Sequence, residues 1–412
     1  MPLSREQLAQ LDREDALAPL RDEFVLPEGV IYLDGNSLGA MPAHAPARIH
    51  EVMTQQWGHD LVRSWNVHDW FAMPHRLGAR IAPLIGARDD EVVVTDSTGI
   101  NLFKLIAMAL RLRPLRKVIV MEEDNFPTDT YIAQGLAALL DAGHQIRFAG
   151  REDITSAITD DVALVALTHV HYKTGAFFDM PAITAQAHAA GALMCWDLCH
   201  SAGAMALDLN GAEADFAVGC GYKYLNGGPG APAFAFVAQR HQGQAEQPLT
   251  GWWSHAEPFA FARDYRPAKG INQMLSGTQS VLAMAALECG IDIMTRADMD
   301  LVRQKSMALG DAFAALMEDQ CAGHGFTLAS PRDPAARASQ IAYRHEHGYA
   351  IVQALIEVGV VGDFRAPDII RFGLTPLYTR YTDIWDAVQA IRTVMEEKLW
   401  QAPRFSRRDT VT

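Results

Sequence analysis

The sequence predicts an α/β fold, with a large domain around a mostly parallel, buried sheet and a smaller unit built from both ends of the chain. Two observations lead to this prediction. Short β-rich runs end in polar or glycine residues and are followed by helical stretches, and the two flanks of the chain lack this alternation. Strands that alternate with helices are typical of crossover units, whose parallel strands are covered by helices on both faces.

The predicted strands are six β-rich runs, and helical stretches follow the first three. The runs span residues 91–95, 117–121, 162–167, 192–196, 215–218 and 232–237, and the helical stretches span residues 101–112, 129–140 and 181–190. Residues up to about 74 are helical with Pro and Gly breaks, and those from about 297 mix long helices with short strands. We therefore expect a large domain of residues 75–296 and a small domain of residues 1–74 and 297–412.

Composition and charge narrow the classes of partner. The 412 residues include 35 Lys and Arg against 49 Asp and Glu, and the net charge of −14 would repel a nucleic-acid backbone. No apolar run approaches the ~20 residues that cross a bilayer, so no membrane partner is expected. Five cysteines are an odd and scattered number, which favours a reducing compartment, the cytoplasm. Cys195, Cys199 and His200 lack a second Cys pair at finger-like spacing, so we expect no metal.

A turn between the first strand and the following helix is a candidate phosphate site. It contains Ser97, Thr98 and Gly99. A hydroxyl- and glycine-bearing turn that opens a helix offers free backbone N–H groups to an anion. The alternative is that Ser97 or Thr98 only caps the helix.

Two further candidates follow strand ends. Asp197 comes directly after the apolar run 192–196, where a carboxylate needs a cation or hydrogen-bond donors. The alternative role of Asp197 is a helix cap. The alternative for nearby His200 is that of an ordinary surface or core histidine. Lys223 lies among glycines and tyrosines just past the run 215–218. Such a setting suits a lysine with a lowered pKa that forms a Schiff base, whereas a solvated loop lysine is the alternative.

Together these three candidates are the parts that hold pyridoxal phosphate. The turn at Thr98 would bind the phosphate, Asp197 would keep the pyridine nitrogen protonated, and Lys223 would hold the aldehyde. Phe126, just beyond another strand, is an aromatic ring available to stack on the cofactor.

Eight motifs make the resemblance specific, and they span nearly the whole chain. They are residues 32–39 (YLDGNSLG), 125–129 (NFPTD), 168–175 (THVHYKTG), 196–203 (WDLCHSAG), 221–226 (GYKYLN), 251–253 (GWW), 276–278 (SGT) and 371–378 (RFGLTPLY). In these motifs the chain resembles the kynureninase family, fold-type I pyridoxal-phosphate enzymes whose large domain carries a sheet of the seven-stranded type.

The resemblance implies a role for each matching residue. Lys223 would carry pyridoxal 5′-phosphate, with Tyr222 and Asp197 as the other catalytic residues. Arg371 would bind the substrate α-carboxylate, although a surface ion pair is its alternative role, and Trp65 and His59 would line the aryl pocket. Ser97 could replace Gly99 as a phosphate contact. The implied cofactor shell is Thr98, Gly99, Phe126, Asp129, Thr168, Asp197, His200, Tyr222 and Lys223, with Trp252 and Thr278 supplied by the neighbouring subunit of a homodimer.

The implied reaction is hydrolysis of L-kynurenine, or its 3-hydroxy analogue, to anthranilate or 3-hydroxyanthranilate and L-alanine. It belongs to tryptophan catabolism and the kynurenine pathway toward NAD biosynthesis. A cysteine desulfurase or class V aminotransferase of the same fold is the alternative, and a non-catalytic pyridoxal-phosphate-binding protein is a further one. A desulfurase needs a reactive late cysteine, and Cys321 lacks the expected Arg and His setting.

Overall fold

The computed structural model describes residues 3–407 and contains twelve α-helices and fifteen strands over that range. The helices are α1 (Arg5–Glu14), α2 (Ala45–Glu51), α3 (Ser64–Val67), α4 (Met73–Ile81), α5 (Thr98–Leu112), α6 (Pro127–Leu140), α7 (Ile154–Ala157), α8 (Met180–Ala189), α9 (Val281–Met294), α10 (Met299–Gln320), α11 (Gly348–Glu357) and α12 (Tyr381–Glu396). The strands are β1 (Phe24–Val25), β2 (Ile31–Tyr32), β3 (Met41–Pro42), β4 (Val92–Val94), β5 (Val118–Glu122), β6 (Gln145–Ala149), β7 (Val162–Thr168), β8 (Leu193–Asp197), β9 (Phe216–Gly219), β10 (Phe234–Val237), β11 (Thr327–Leu328), β12 (Gln340–Arg344), β13 (Val360–Val361), β14 (Asp363–Arg365) and β15 (Ile369–Gly373).

Seven strands form the large sheet, in the order β4-β10-β9-β8-β7-β5-β6. Every strand except β10 runs parallel to the others, and β10 lies antiparallel between β4 and β9. The predicted α/β fold with a mostly parallel sheet is therefore confirmed. The sequence analysis missed β6, because this edge strand is only half buried and mixes polar with apolar residues instead of forming an apolar run.

A smaller α+β unit contains residues from both ends of the chain, as predicted. Its antiparallel sheet has the order β11-β12-β15-β14, and its core includes Leu8 and Leu33 from the N-terminal region. Other N-terminal residues, among them Phe24, Val52 and Met73, pack into the core of the large sheet instead. The boundaries at residues 75 and 296 stay a prediction.

The large sheet brings the candidate residues to one edge. Thr168 and Asp197 are the last residues of two neighbouring parallel strands and lie side by side in register. Lys223 follows β9, the next strand along, by four residues. Because carboxyl ends of parallel strands meet at the same edge, all three residues reach the crevice where ligands bind in such sheets.

The segment of residues 34–39 connects this edge to the smaller unit. The Gly39 amide donates to the Tyr222 carbonyl at 2.8 Å, and a Cβ on Gly39 would lie 2.3 Å from the Lys223 carbonyl oxygen. At the other end of the segment, a Cβ on Gly35 would lie 2.1 Å from the Thr375 hydroxyl. Side chains cannot be accommodated at such distances, so both glycines are required for these contacts.

Two kinds of feature are absent from residues 3–407. No helix there is long and apolar enough to cross a membrane. No group of three or more His, Cys, Asp or Glu side chains within the same range is arranged to hold a metal ion.

Candidate active site

A cavity of about 380 Å³ lies at the carboxyl edge of the large sheet. It brings together most of the residues that the sequence analysis selected. Its lining includes Thr98, Gly99, Phe126, Asp129, Thr168, Asp197, His200, Tyr222 and Lys223, together with Ser97, Ile100, Thr128, Ile132 and Cys199.

The first turn of α5 forms one end of the cavity. Ser97 is the helix cap, and its hydroxyl accepts from the Ile100 amide at 3.4 Å. The amides of Thr98 and Gly99 belong to the first turn, where N–H groups have no carbonyl partner within the helix. The Ser97 cap therefore does not exclude the predicted phosphate contact, because it leaves the amides of Thr98 and Gly99 available to an anion.

Two buried carboxylates lie on the floor of the cavity. Asp197 does not cap a helix; its Oδ1 accepts from the Cys199 amide at 2.7 Å in the turn after β8. Asp129 is held by the Thr168 hydroxyl and the Asn125 amide, each 3.3 Å from its Oδ2. Burial, and next the charge of Asp197, raise the pKa of Asp129 well above its usual value. A positively charged group placed beside this pair would be strongly stabilised.

Lys223 is hydrogen-bonded to a neutral histidine. Its Nζ lies 2.9 Å from His200 Nε2. Burial, and next the charge of Lys223, lower the pKa of His200 well below its usual value, so the ring is a neutral acceptor for the lysine. The Nδ1 atom of His200 is buried and has no hydrogen-bond partner, which leaves it available to a bound group.

Two aromatic rings flank the lysine. Lys223 Nζ lies 5.8 Å from the ring centre of Tyr222 and 6.0 Å from that of Phe126. Phe126 is held edge-on against Tyr172, with ring centres 5.3 Å apart. Burial is the main cause that raises the pKa of Tyr222, so its hydroxyl keeps its proton.

These groups fit pyridoxal 5′-phosphate. The α5 turn suits the phosphate, Asp197 and Asp129 suit a protonated pyridine nitrogen, and Lys223 suits the aldehyde. The orphaned Nδ1 of His200 and the exposed ring of Phe126 offer a polar contact and a stacking face.

Five predicted residues lie outside this lining within one chain, and one of them, Arg371, is described in the next paragraph. Trp65 packs against Trp253, with ring centres 5.6 Å apart, and the ring of Trp252 stacks on Trp253 at 5.2 Å. His59 is exposed and contacts Asp60 at 3.0 Å. Thr278 is also exposed. Their roles stay predictions.

Arg371 lies in a buried ion pair and not at the surface. It is 1% exposed, its Nε donates to Asp363 Oδ1 at 2.7 Å, and its Nη2 also donates to that carboxylate. Its Nη1 donates to the Tyr172 carbonyl. The positive charge of Arg371 helps to lower the pKa of His200, so its field reaches the cavity although its side chain does not line it.

Comparisons with known proteins identify the family. A family model described as the kynureninase C-terminal domain matches residues 302–391. A kynureninase of Burkholderia mallei is 54% identical over 99% of this chain and 100% of its own length, and one of Pseudomonas fluorescens is 51% identical over the same shares. The chain belongs to the kynureninase family. As a member of this family, the protein is an enzyme that uses pyridoxal 5′-phosphate.

Solved structures agree with this fold. A cysteine desulfurase from Thermococcus onnurineus has a TM-score of 0.78 at 18% identity and covers 92% of this chain and 98% of its own. A cysteine desulfurase from Escherichia coli has a TM-score of 0.77 at 17% identity, with the same coverage. A C-DES variant with glycine covalently linked to its pyridoxal-phosphate cofactor has a TM-score of 0.76 at 16% identity and covers 90% and 98%. These likenesses show the fold shared with the kynureninase family.

Sequence analysis missed several residues around the site. The side-chain oxygen of Asn125 accepts a hydrogen bond from the Thr168 hydroxyl. The side-chain amide of Gln340 donates to the Tyr172 carbonyl. Asp363 and Arg365 lie on β14, the strand that pairs with the strand of Arg371. Asp363 lies directly opposite Arg371 in the hairpin of residues 363–365 and 369–373, and this pairing becomes visible only when the register of the hairpin is known.

We expect Asp197→Asn to weaken cofactor binding about 10- to 150-fold, because a charged hydrogen-bonding partner is worth roughly 1.5–3 kcal/mol. Titrating the apoenzyme with pyridoxal 5′-phosphate measures this affinity. Asp179→Asn is the matched control, since Asp179 caps α8 and Asn caps equally well. Unchanged affinity and turnover in Asp197→Asn would reduce Asp197 to a residue that only shapes its turn.

Proposed function

We propose that the cavity around Lys223 is the place where this protein hydrolyses L-kynurenine to anthranilate and L-alanine. The observation that carries the proposal is the contact of Lys223 with neutral His200 above the carboxylates of Asp197 and Asp129. The family relationship over the whole chain supports the same activity.

The chain's own residues handle protons around the reacting carbons. When bound, pyridoxal phosphate supplies an electron sink for negative charge at the substrate α-carbon. Lys223 Nζ, once free of the cofactor, can take the α-proton and return it. Neutral His200 accepts a hydrogen bond from this nitrogen and so keeps it oriented toward the cavity.

Tyr222 is the proton donor in this proposal. Hydrolysis of an aryl ketone needs a water molecule to add at the carbonyl carbon, and the departing carbon must then gain a proton. The Tyr222 hydroxyl lines the cavity and keeps its proton because burial raises its pKa. It can therefore act as a general acid.

The cysteine desulfurase alternative requires a reactive thiol, and Cys321 is unsuited to that role. Its side chain is 3% exposed, and burial raises its pKa to about 11. A thiol in such surroundings is inert, since the thiolate is the nucleophile. A class V aminotransferase or a non-catalytic binding protein would not need Tyr222 as a proton donor.

We infer that the active form is a homodimer with each site completed by the partner. Trp252, predicted to bind the phosphate, lies away from the cavity of its own chain. It belongs to an aromatic cluster whose members Phe259 and Phe261 are 66% and 84% exposed. Such an exposed apolar patch favours a protein interface. Trp65, which is predicted to line the aryl pocket, belongs to the same cluster. It would therefore also face the partner's cavity.

A reducing compartment such as the cytoplasm suits the chain. Its five cysteines are free and buried in the structure. Free buried thiols are typical of proteins kept in reducing surroundings.

Wild-type protein should release anthranilate from L-kynurenine, and Cys321→Ala should do so at the same rate. Fluorescence of the released anthranilate measures turnover, and parallel assays with 3-hydroxykynurenine rank the two substrates. Sulfide release from cysteine, lost in Cys321→Ala, would instead establish a desulfurase.

Mixed dimers test the shared site. One chain carries Lys223→Ala, the other carries Trp252→Ala, and two affinity tags isolate the mixed dimer. If Trp252 serves the partner, one of the two sites is intact, and we expect about half of the wild-type activity per dimer. A dimer in which both chains carry Lys223→Ala is the inactive control. Activity no higher than in this control would place Trp252 in the site of its own chain.

A further inference from the structure

Arg371, the predicted carboxylate-binding residue, has almost no donors left for a substrate. A guanidinium has five N–H donors. Its Nε and Nη2 donate to Asp363, its Nη2 also donates to the Ser37 hydroxyl at 3.1 Å, and its Nη1 donates to the Tyr172 carbonyl. One Nη1 hydrogen remains.

The ion pair between Arg371 and Asp363 is not easily opened. The two residues lie opposite each other in the register of β14 and β15, and both side chains are 2% exposed. Removing one partner of a buried pair leaves an uncompensated charge, which is strongly unfavourable. A substrate carboxylate that displaced Asp363 would deprive this buried acid of its Arg371 partner.

A second guanidinium lies beside the first. Arg365 is two residues after Asp363 on β14, and its Nη2 lies 2.7 Å from Asp363 Oδ2 and 3.3 Å from the Ser37 hydroxyl. Its Nη1 donates to the Phe364 carbonyl at 3.1 Å. The Arg365 side chain is 32% exposed, in contrast to 2% for Arg371, so it is the more accessible of the two cations.

The charges around Asp363 favour an anion. One carboxylate is shared by two guanidinium groups, which leaves one positive charge in excess. The charges of both Arg371 and Arg365 lower the pKa of His200, and His200 contacts Lys223 Nζ at 2.9 Å. The positive charge of the two arginines therefore acts on His200, the residue that contacts the lysine. The other nearby acid, Asp34, has its pKa raised to about 7, mainly by burial and next by Asp363.

We propose that Arg365 binds the substrate α-carboxylate together with the remaining Nη1–H of Arg371, and that Asp363 is the positioning residue that holds the two guanidinium groups side by side. The proposal rests on the proposed function, since it concerns the same substrate. It adds Arg365 and Asp363 to the binding site and gives the ion pair of Arg371 a role. Asp363 offsets the repulsion between the two cations and keeps Arg371 from rotating away.

The test uses two ligands that separate the carboxylate from the amine. The desamino analogue of kynurenine keeps the carboxylate and the aryl ketone, and the decarboxylated analogue keeps the amine and the aryl ketone. Calorimetry on the holoenzyme measures both affinities without turnover. In Arg365→Gln we expect the desamino analogue to bind about 10- to 100-fold more weakly, as for loss of a charged hydrogen bond, and the decarboxylated analogue to bind within about twofold of wild type.

Three further variants complete the test. Arg365→Lys should recover part of the affinity, because it keeps the charge but loses the planar fork. Asp363→Asn should raise KM for kynurenine more than it lowers kcat and should weaken only the desamino analogue. Arg344→Gln is the matched control, since Arg344 lies on the same sheet but pairs with Asp368 at the surface, and it should leave both affinities unchanged.

Two results would overturn the proposal. One is wild-type affinity for the desamino analogue in both Arg365 variants, and the other is an equal loss for both analogues, which indicates a general disturbance of the site. Absence of anthranilate release by the wild-type protein would instead refute the proposed function. The analogue affinities are measured independently of that result.

Discussion

The site depends on the close approach of residues 34–39 to two other parts of the chain. Gly39 lies against the backbone that carries Lys223, and Gly35 lies against the segment that follows Arg371. The segment thereby fixes the distance between Lys223, which would hold the cofactor, and the cations that would hold the substrate. Ser37, in the same segment, contacts both Arg371 and Arg365. One loop thus aligns the large sheet with the smaller unit.

The buried charges around the cavity are compensated by neighbouring groups of opposite charge. Asp197 and Asp129 lie under the cavity, and Lys223 is near enough to moderate the pKa of Asp129. Asp363 is paired with the two arginines Arg371 and Arg365. Each group of charges can pair with a ligand of opposite sign: a protonated pyridine ring beside the acids, and a carboxylate beside the arginines. The charged groups of the protein therefore suit a cofactor with a protonated ring and an amino-acid substrate with a carboxylate.

Most of the fold and of the candidate site could be predicted from the sequence. Apolar strands that end in Asp197 or lead into Lys223 produce a local signal, and parallel strands place their ends at one edge. The edge strand β6 and the ion pair of Asp363 were not predicted, each for its own reason. Residues on an exposed edge do not form an apolar run, and a partner across a hairpin is visible only after the hairpin register is known. Trp252, which the resemblance assigns to a neighbouring subunit, and Trp65 lie outside the cavity of their own chain, and their roles stay predictions.

Identification of the lysine that carries the cofactor is the most direct test of this account. Borohydride reduction of the yellow holoenzyme fixes pyridoxal phosphate to its lysine, and peptide mapping then locates the modified residue. The account predicts modification of the peptide that contains Lys223, with loss of both colour and activity. Modification of Lys173, of Lys104 or of any other lysine in place of Lys223 would contradict the placement of the whole site.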